Sequence, residues 1–142
     1  MTAPSMTAAR MMSSLGRTVA AWVRPERATT QYLVKKASGS ADGFELALSA
    51  SSSSSSQKVF ARFNQASSGN SYRVDSTSTY PADGATWVHV AVTYDGSVIR
   101  LYVDGVEQAS GAGPTSIGVN SLDLAIGAQP DGTGRYQGAI DD

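Results

Sequence analysis

The residues able to do chemistry in this 142-residue chain are few and scattered. Glycosidic hydrolysis would need two carboxyl groups held about 5–9.5 Å apart, one as acid and one as base or nucleophile. The glutamates are Glu26, Glu45 and Glu107, each isolated in the sequence. Asp42, Asp83, Asp95, Asp104 and Asp131 each precede a glycine, which is turn chemistry rather than acid–base chemistry. His89 is the single histidine and lies between Val88 and Val90. It reads as a strand residue, packed against aromatics or facing the sheet surface. No G-x-S-x-G elbow is present, so a serine nucleophile is not expected. The chain has no cysteine and no paired-histidine spacing, which argues against zinc. The glycines are spread among turns and form no phosphate-binding loop. What remains is recognition chemistry: Trp22, Trp87, six tyrosines and several arginines. Sugars are held by aromatic rings against their C–H faces and by planar polar groups on their hydroxyls.

The elements that must position these residues are strands. In WVHVAVTYDGSVIRLYVDG, Trp87 to Gly105, Trp87, His89, Ala91 and Thr93 alternate with Val88, Val90, Val92 and Tyr94. After the Asp95-Gly96 turn, Ile99, Leu101 and Val103 alternate with Val98, Arg100 and Tyr102. Asp104-Gly105 makes a second turn, and Val106 to Ala109 can begin a third strand. Two such turns between alternating runs predict an antiparallel meander. Further strands are predicted at Thr18–Val23, ended by Pro25, and at Gln31–Lys36, Phe44–Ser49, Lys58–Asn64, Tyr72–Thr77, Leu122–Ile126 and Tyr136–Ile140. Ala37–Gly43 reads as a loop, and the serine run Ser51–Ser56 as a long solvated hairpin connection. No segment keeps a 3.6-residue period over three turns, so no helix is predicted. Many short strands imply an all-β fold of two packed antiparallel sheets.

Three segments carry a resemblance. The Trp87–Gly105 hairpin, TVAAWVRPE (Thr18–Glu26) and LDLAIGAQPDGTGRYQGAIDD (Leu122–Asp142) resemble the laminin-G-like, concanavalin-A-like jelly-roll domains of bacterial and phage proteins. The likeness covers Thr18 to Asp142, and residues 1–17 are left as a leader or a weak first strand. The resemblance implies a β-sandwich jelly roll that binds carbohydrate without catalysis, since the E-x-D-x-E signature of the superfamily's hydrolases is missing. It also implies calcium near the rim, with Asp141 of the G-x-I-D element as a ligand. The family's terminal strands are weakly matched, so the sheet is expected either to lack them or to complete its edges with neighbouring chains.

The saccharide candidates are Arg62 with one of Tyr72 or Arg73, which alternation sends to opposite faces, and Arg100 with Tyr102 on one face of their strand. Two readings stand. One is a lectin-like or adhesion module that meets a glycan or cell-surface carbohydrate, as part of a larger extracellular or virion-surface protein. The other is a structural subunit that forms homo-oligomers through sheet edges. A net charge of −1 and a pI near 5.7 give no long-range attraction for nucleic acid or anionic lipid. No apolar run approaches a membrane span. The N-terminal MTAPSMTAARMMSSLGR lacks the apolar stretch of a signal peptide.

Overall fold

Alternating runs of apolar and polar residues can bury one face only if two sheets stack, and that is the observed arrangement. A computed structural model describes residues 16–142. The strands are β1 (Arg17–Pro25), β2 (Gln31–Ser38), β3 (Ala41–Leu48), β4 (Lys58–Phe63), β5 (Arg73–Thr79), β6 (Val88–Tyr94), β7 (Val98–Val103), β8 (Val106–Ala112), β9 (Ala125–Ile126) and β10 (Gly138–Asp141). One turn of helix, α1 (Gln65–Ser68), follows β4. Sheet A has the order β10-β1-β6-β7-β8 and sheet B the order β5-β4-β3-β2-β9. Every pairing is antiparallel.

The inward faces match the predicted alternation. Ala21 and Val23 of β1, Val88, Val90, Val92 and Tyr94 of β6, and Ile99 and Leu101 of β7 meet Leu33, Phe44, Leu46, Leu48, Val59, Ala61, Phe63 and Val74 from sheet B. The buried tyrosine hydroxyls are satisfied by backbone: Tyr80 donates to Ser49 O at 2.7 Å and Tyr94 to Pro114 O at 2.5 Å. Edge strands β5 and β8 are tied together by Gln108. Its Oε1 accepts from the backbone and hydroxyl of both Thr77 and Ser78.

The expected elements are found with three corrections. Ala37–Gly43 is not a loop. β2 and β3 continue toward each other and are joined by the short Gly39–Ser40 turn. Gly43 belongs to a strand because its backbone lies so close to Lys36 that a Cβ would fall 1.8 Å from Lys36 O. Second, the strand expected at Leu122–Ile126 shrinks to Ala125–Ile126. Upstream, side chains replace the ladder: Asn120 donates to Lys36 O and Asp42 O, Leu122 N donates to Asn120 Oδ1, and Lys36 donates to Leu122 O. Third, α1 adds a helical turn where none was expected, entered through Asn64 in the left-handed region at φ 51°. The serine run forms the β3–β4 connection as expected. The expectation of a leader or weak first strand over residues 1–17 falls almost wholly outside the described residues; Arg17 itself starts β1.

Candidate functional site

On the outward face of sheet B, cross-strand register builds a row of four charges. Lys35 is opposite Glu45, Glu45 opposite Arg62, and Arg62 opposite Arg73. The neighbouring row is Tyr32, Ala47, Phe60 and Asp75. Opposed residues share a face and sit about 4.5–5.5 Å apart at Cβ, so these side chains must interact. Glu45 lies at the centre, with Oε1 2.7 Å from the Arg62 guanidinium and Oε2 3.0 Å from the Lys35 ammonium. Arg73 turns away from Arg62, lies over the Phe60 ring at 3.8 Å, and pairs with Asp75 at 2.7 Å. Arg62 also donates to Asn70 Oδ1 at 2.8 Å, and Arg73 to Ser55 Oγ at 3.0 Å.

This face is partly roofed. Lys35 and Glu45 are each only 1% exposed, although their strands point them away from the core. The turn at residues 129–134 covers them. Lys35 donates to Gln129 Oε1 at 2.9 Å, and Tyr32 N donates to Gly134 O at 3.1 Å. Gly134 has φ +60°, and a Cβ there would lie 2.6 Å from the Tyr32 ring, so a side chain would lift the turn off the sheet. Burial and the Glu45 charge push the Tyr32 hydroxyl above its ordinary pKa. Beside the roof is a groove of about 310 Å³ lined by Ala37, Ser38, Ser121, Leu122, Asp123, Gln129, Pro130 and Asp131. The hydroxyl and backbone N–H of Thr133 hold the Asp131 carboxyl below the usual carboxylate range. Gln129 therefore belongs to both the groove and the charged row.

The outward face of sheet A differs. Trp22 is opposite both His89 on β6 and Asp141 on β10. The Trp22 and His89 rings meet nearly edge to face, 5.2 Å apart. The Arg24 guanidinium lies 5.4 Å from the Trp87 ring centre and donates to Gly84 O. Trp22 and Trp87 are 43% and 42% exposed. Neither belongs to the buried core cluster. Alternation aims Trp22 away from Ala21 and Val23, which take the core positions. His89 meets both parts of its expectation.

The predicted site residues therefore do not form one site. Arg62 and Arg73 belong to the charged row on sheet B. Tyr72 turns the other way and packs half-buried against the core. Arg100 and Tyr102 lie on the outward face of sheet A, opposite Thr93 and Ala91. Arg100 there pairs with Asp95 at 3.2 Å and Glu107 at 3.5 Å. Asp141 lies beside Trp22, and its Oδ1 accepts from Asp142 N. Among the described residues no group of three or more His, Cys, Asp or Glu side chains converges to hold a metal.

Sequence reasoning missed Tyr32, Lys35, Glu45, Phe60, Asp75 and Gln129. One signal was available: consecutive predicted strands carry KK, E, R and R in positions that antiparallel register could oppose. It was obscured because β2 has an irregularity between Tyr32 and Val34 that brings Tyr32 and Lys35 to one face.

Two five-stranded antiparallel sheets with one built polar face define a jelly-roll β-sandwich. The chain belongs to the concanavalin A-like lectin/glucanase superfamily: the family's laminin G-like model matches residues 3–142. A search of curated proteins finds no match. Among solved structures it is similar to domain 4 of AbnA, a GH43 extracellular arabinanase of Geobacillus stearothermophilus, in complex with arabinotriose (20% identity, TM-score 0.59, 92% of this chain and 59% of that one). It is also similar to the heptameric SAP-like pentraxin of Limulus polyphemus (16%, TM-score 0.60, 88% and 60%). A third similar structure is the CBM40 of the Ruminococcus gnavus IT-sialidase, solved alone and bound to α2,3-sialyllactose (15%, TM-score 0.64, 94% and 76%). These likenesses show the fold. No helix among the described residues is long and apolar enough to cross a membrane.

Proposed function

We propose that this chain is a non-catalytic carbohydrate-binding module that takes a glycan on the outward face of sheet B, across Arg62 and Arg73 and into the groove at Gln129. One observation carries the reading: Lys35, Glu45, Arg62 and Arg73 are fixed by partners on a face that points away from the core. Burying such charges contributes little net stability compared with apolar packing, so the network favours a role in recognition. A groove with convergent polar groups beside it is where a ligand fits best. The ligands named for the AbnA domain and the CBM40 support a glycan as the class of partner.

The same face is unsuited to catalysis. Glu45 is held by Lys35 and Arg62, and Asp75 by Arg73, so neither carboxyl is placed to protonate a leaving group. Placement in a larger extracellular or virion-surface protein belongs to the same proposal. Calorimetry against a glycan panel tests it. Saturable binding should weaken by about tenfold in Arg73→Ala, because one planar contact to hydroxyls is lost. No binding to any glycan, or binding unchanged by Arg73→Ala, would reject this site.

A second reading, self-assembly through sheet edges, has one observation in its favour. The two-residue β9 leaves Leu124 and Ile126 exposed along the edge of sheet B. Light scattering with calcium and then with a chelator tests it. A calcium-independent oligomer is the expected result under this reading, and a monomer at all concentrations removes it.

A further inference from the structure

We infer that the outward face of sheet A is a second glycan-contact surface, on which Trp22 and Trp87 stack against neutral pyranose rings. It is separate from the proposed site on sheet B, and either can hold without the other.

Trp22 is opposite His89, two residues after Trp87, so continuing that alternation past the start of β6 brings both indoles to the same outward face. Trp22 faces His89, and beyond the paired Val23 and Val88 the Arg24 side chain reaches over Trp87. Residues two apart on adjacent strands share a face at about 7–8 Å, so the two indoles and His89 make a short aromatic strip. Trp22 and His89 line an open depression of about 550 Å³ walled by Asp104 and Gly105. Asp104 is held in the left-handed region at φ 50°, and its Oδ1 accepts from His89 N at 2.9 Å. The turn thus keeps an exposed carboxylate beside the aromatic floor. Asp141 supplies a second exposed carboxylate opposite Trp22.

This chemistry suits one class of occupant. The apolar C–H face of a pyranose is slightly positive and rests on the negative face of an indole. Hydroxyls at the ring edge donate to carboxylates, which are acceptors only. A carboxylated sugar would meet Asp104 and Asp141 at like charge. The nearby cation, Arg24, is already committed to Gly84 O and the Trp87 ring. The strip therefore favours neutral sugars over carboxylated ones. With a second ligand surface facing away from the first, one module could bridge two glycan strands.

The test uses the fact that the chain has only two tryptophans, both on this strip. Their indole N–H resonances report on sheet A alone. The probes are neutral β-linked hexasaccharides of glucose, xylose and galactose, added to the full chain. The expected result is a saturable shift of both indole signals with at least one probe. That shift should persist in Arg73→Ala, weaken about tenfold in Trp22→Ala, and stay near wild type in Trp22→Phe, which keeps a ring. Indole signals unmoved by all three probes would overturn the inference. So would a shift abolished by Arg73→Ala, or signals that move with protein concentration alone, which would mean that another copy covers the strip. Failure of the sheet B site reads differently: calorimetric binding would ignore Arg73→Ala while the indole shift remained.

Discussion

The two outward faces of this sandwich are built by the same alternation and end in opposite states. On sheet B the outward residues Lys35 and Glu45 are almost fully buried under the 129–134 turn, and each charge has a partner. On sheet A the outward residues Trp22 and Trp87 stay nearly half exposed, and the side chains around them touch without covering them. Alternation decides only which way a side chain points. What lies over it afterwards is decided by connections distant in sequence. Covered charges must be completely paired because water is gone, and the open face can keep unpaired aromatic surface because water remains.

The largest effect expected from this comparison is at Glu45. Glu45→Ala would leave Lys35 and Arg62 facing each other without their shared anion, costing about 3–5 kcal/mol. Urea denaturation should show this as a lower midpoint. Glu45→Gln, which keeps shape and one acceptor, should cost less. Trp22→Ala on the open face should cost far less than Glu45→Ala. Equal losses at the two positions would end the distinction drawn between covered and open faces.

Next is the roof itself. Gly134→Ala combines a left-handed backbone with a 2.6 Å approach to the Tyr32 ring, and about 1–3 kcal/mol of destabilisation is expected. Faster hydrogen exchange should appear at Tyr32 N, which donates to Gly134 O, while exchange on β6 stays slow.

The third effect is alkaline. Burial pushes the Tyr80 and Tyr136 hydroxyls from 10.0 up to about 12. A raised pKa means that the fold favours the neutral phenol. Stability from these groups is therefore complete below pH 10 and lost as pH rises from 10 toward 12. Absorbance titration at the phenolate band should show a late-titrating set of tyrosines that includes these two, and Tyr80→Phe should remove one of the set. The smallest effect belongs to Arg100, whose partners Asp95 and Glu107 are exposed with it. Arg100→Ala should leave the thermal midpoint essentially unchanged at physiological salt.

Much of this molecule is determined by its sequence. The alternation in Val88–Tyr94 and Ile99–Val103 fixes which residues enter the core, and the Asp-Gly turns fix where the strands reverse. Those signals are local, because strand period and turn conformation depend on neighbouring residues. The sequence also placed Arg62 and Arg73 among the ligand candidates and left open whether Tyr72 or Arg73 faced outward. Only the tertiary structure decided that Arg73 faces outward, that Arg100 and Tyr102 belong to the opposite face, and that Lys35 meets Glu45 under Gln129. The pairing of Lys35 with Gln129 spans 94 residues, and the irregularity after Tyr32 changes which residues of β2 share a face. Neither can be read from one strand alone, because register and roof are set by which strands lie side by side and by the chain that returns across them.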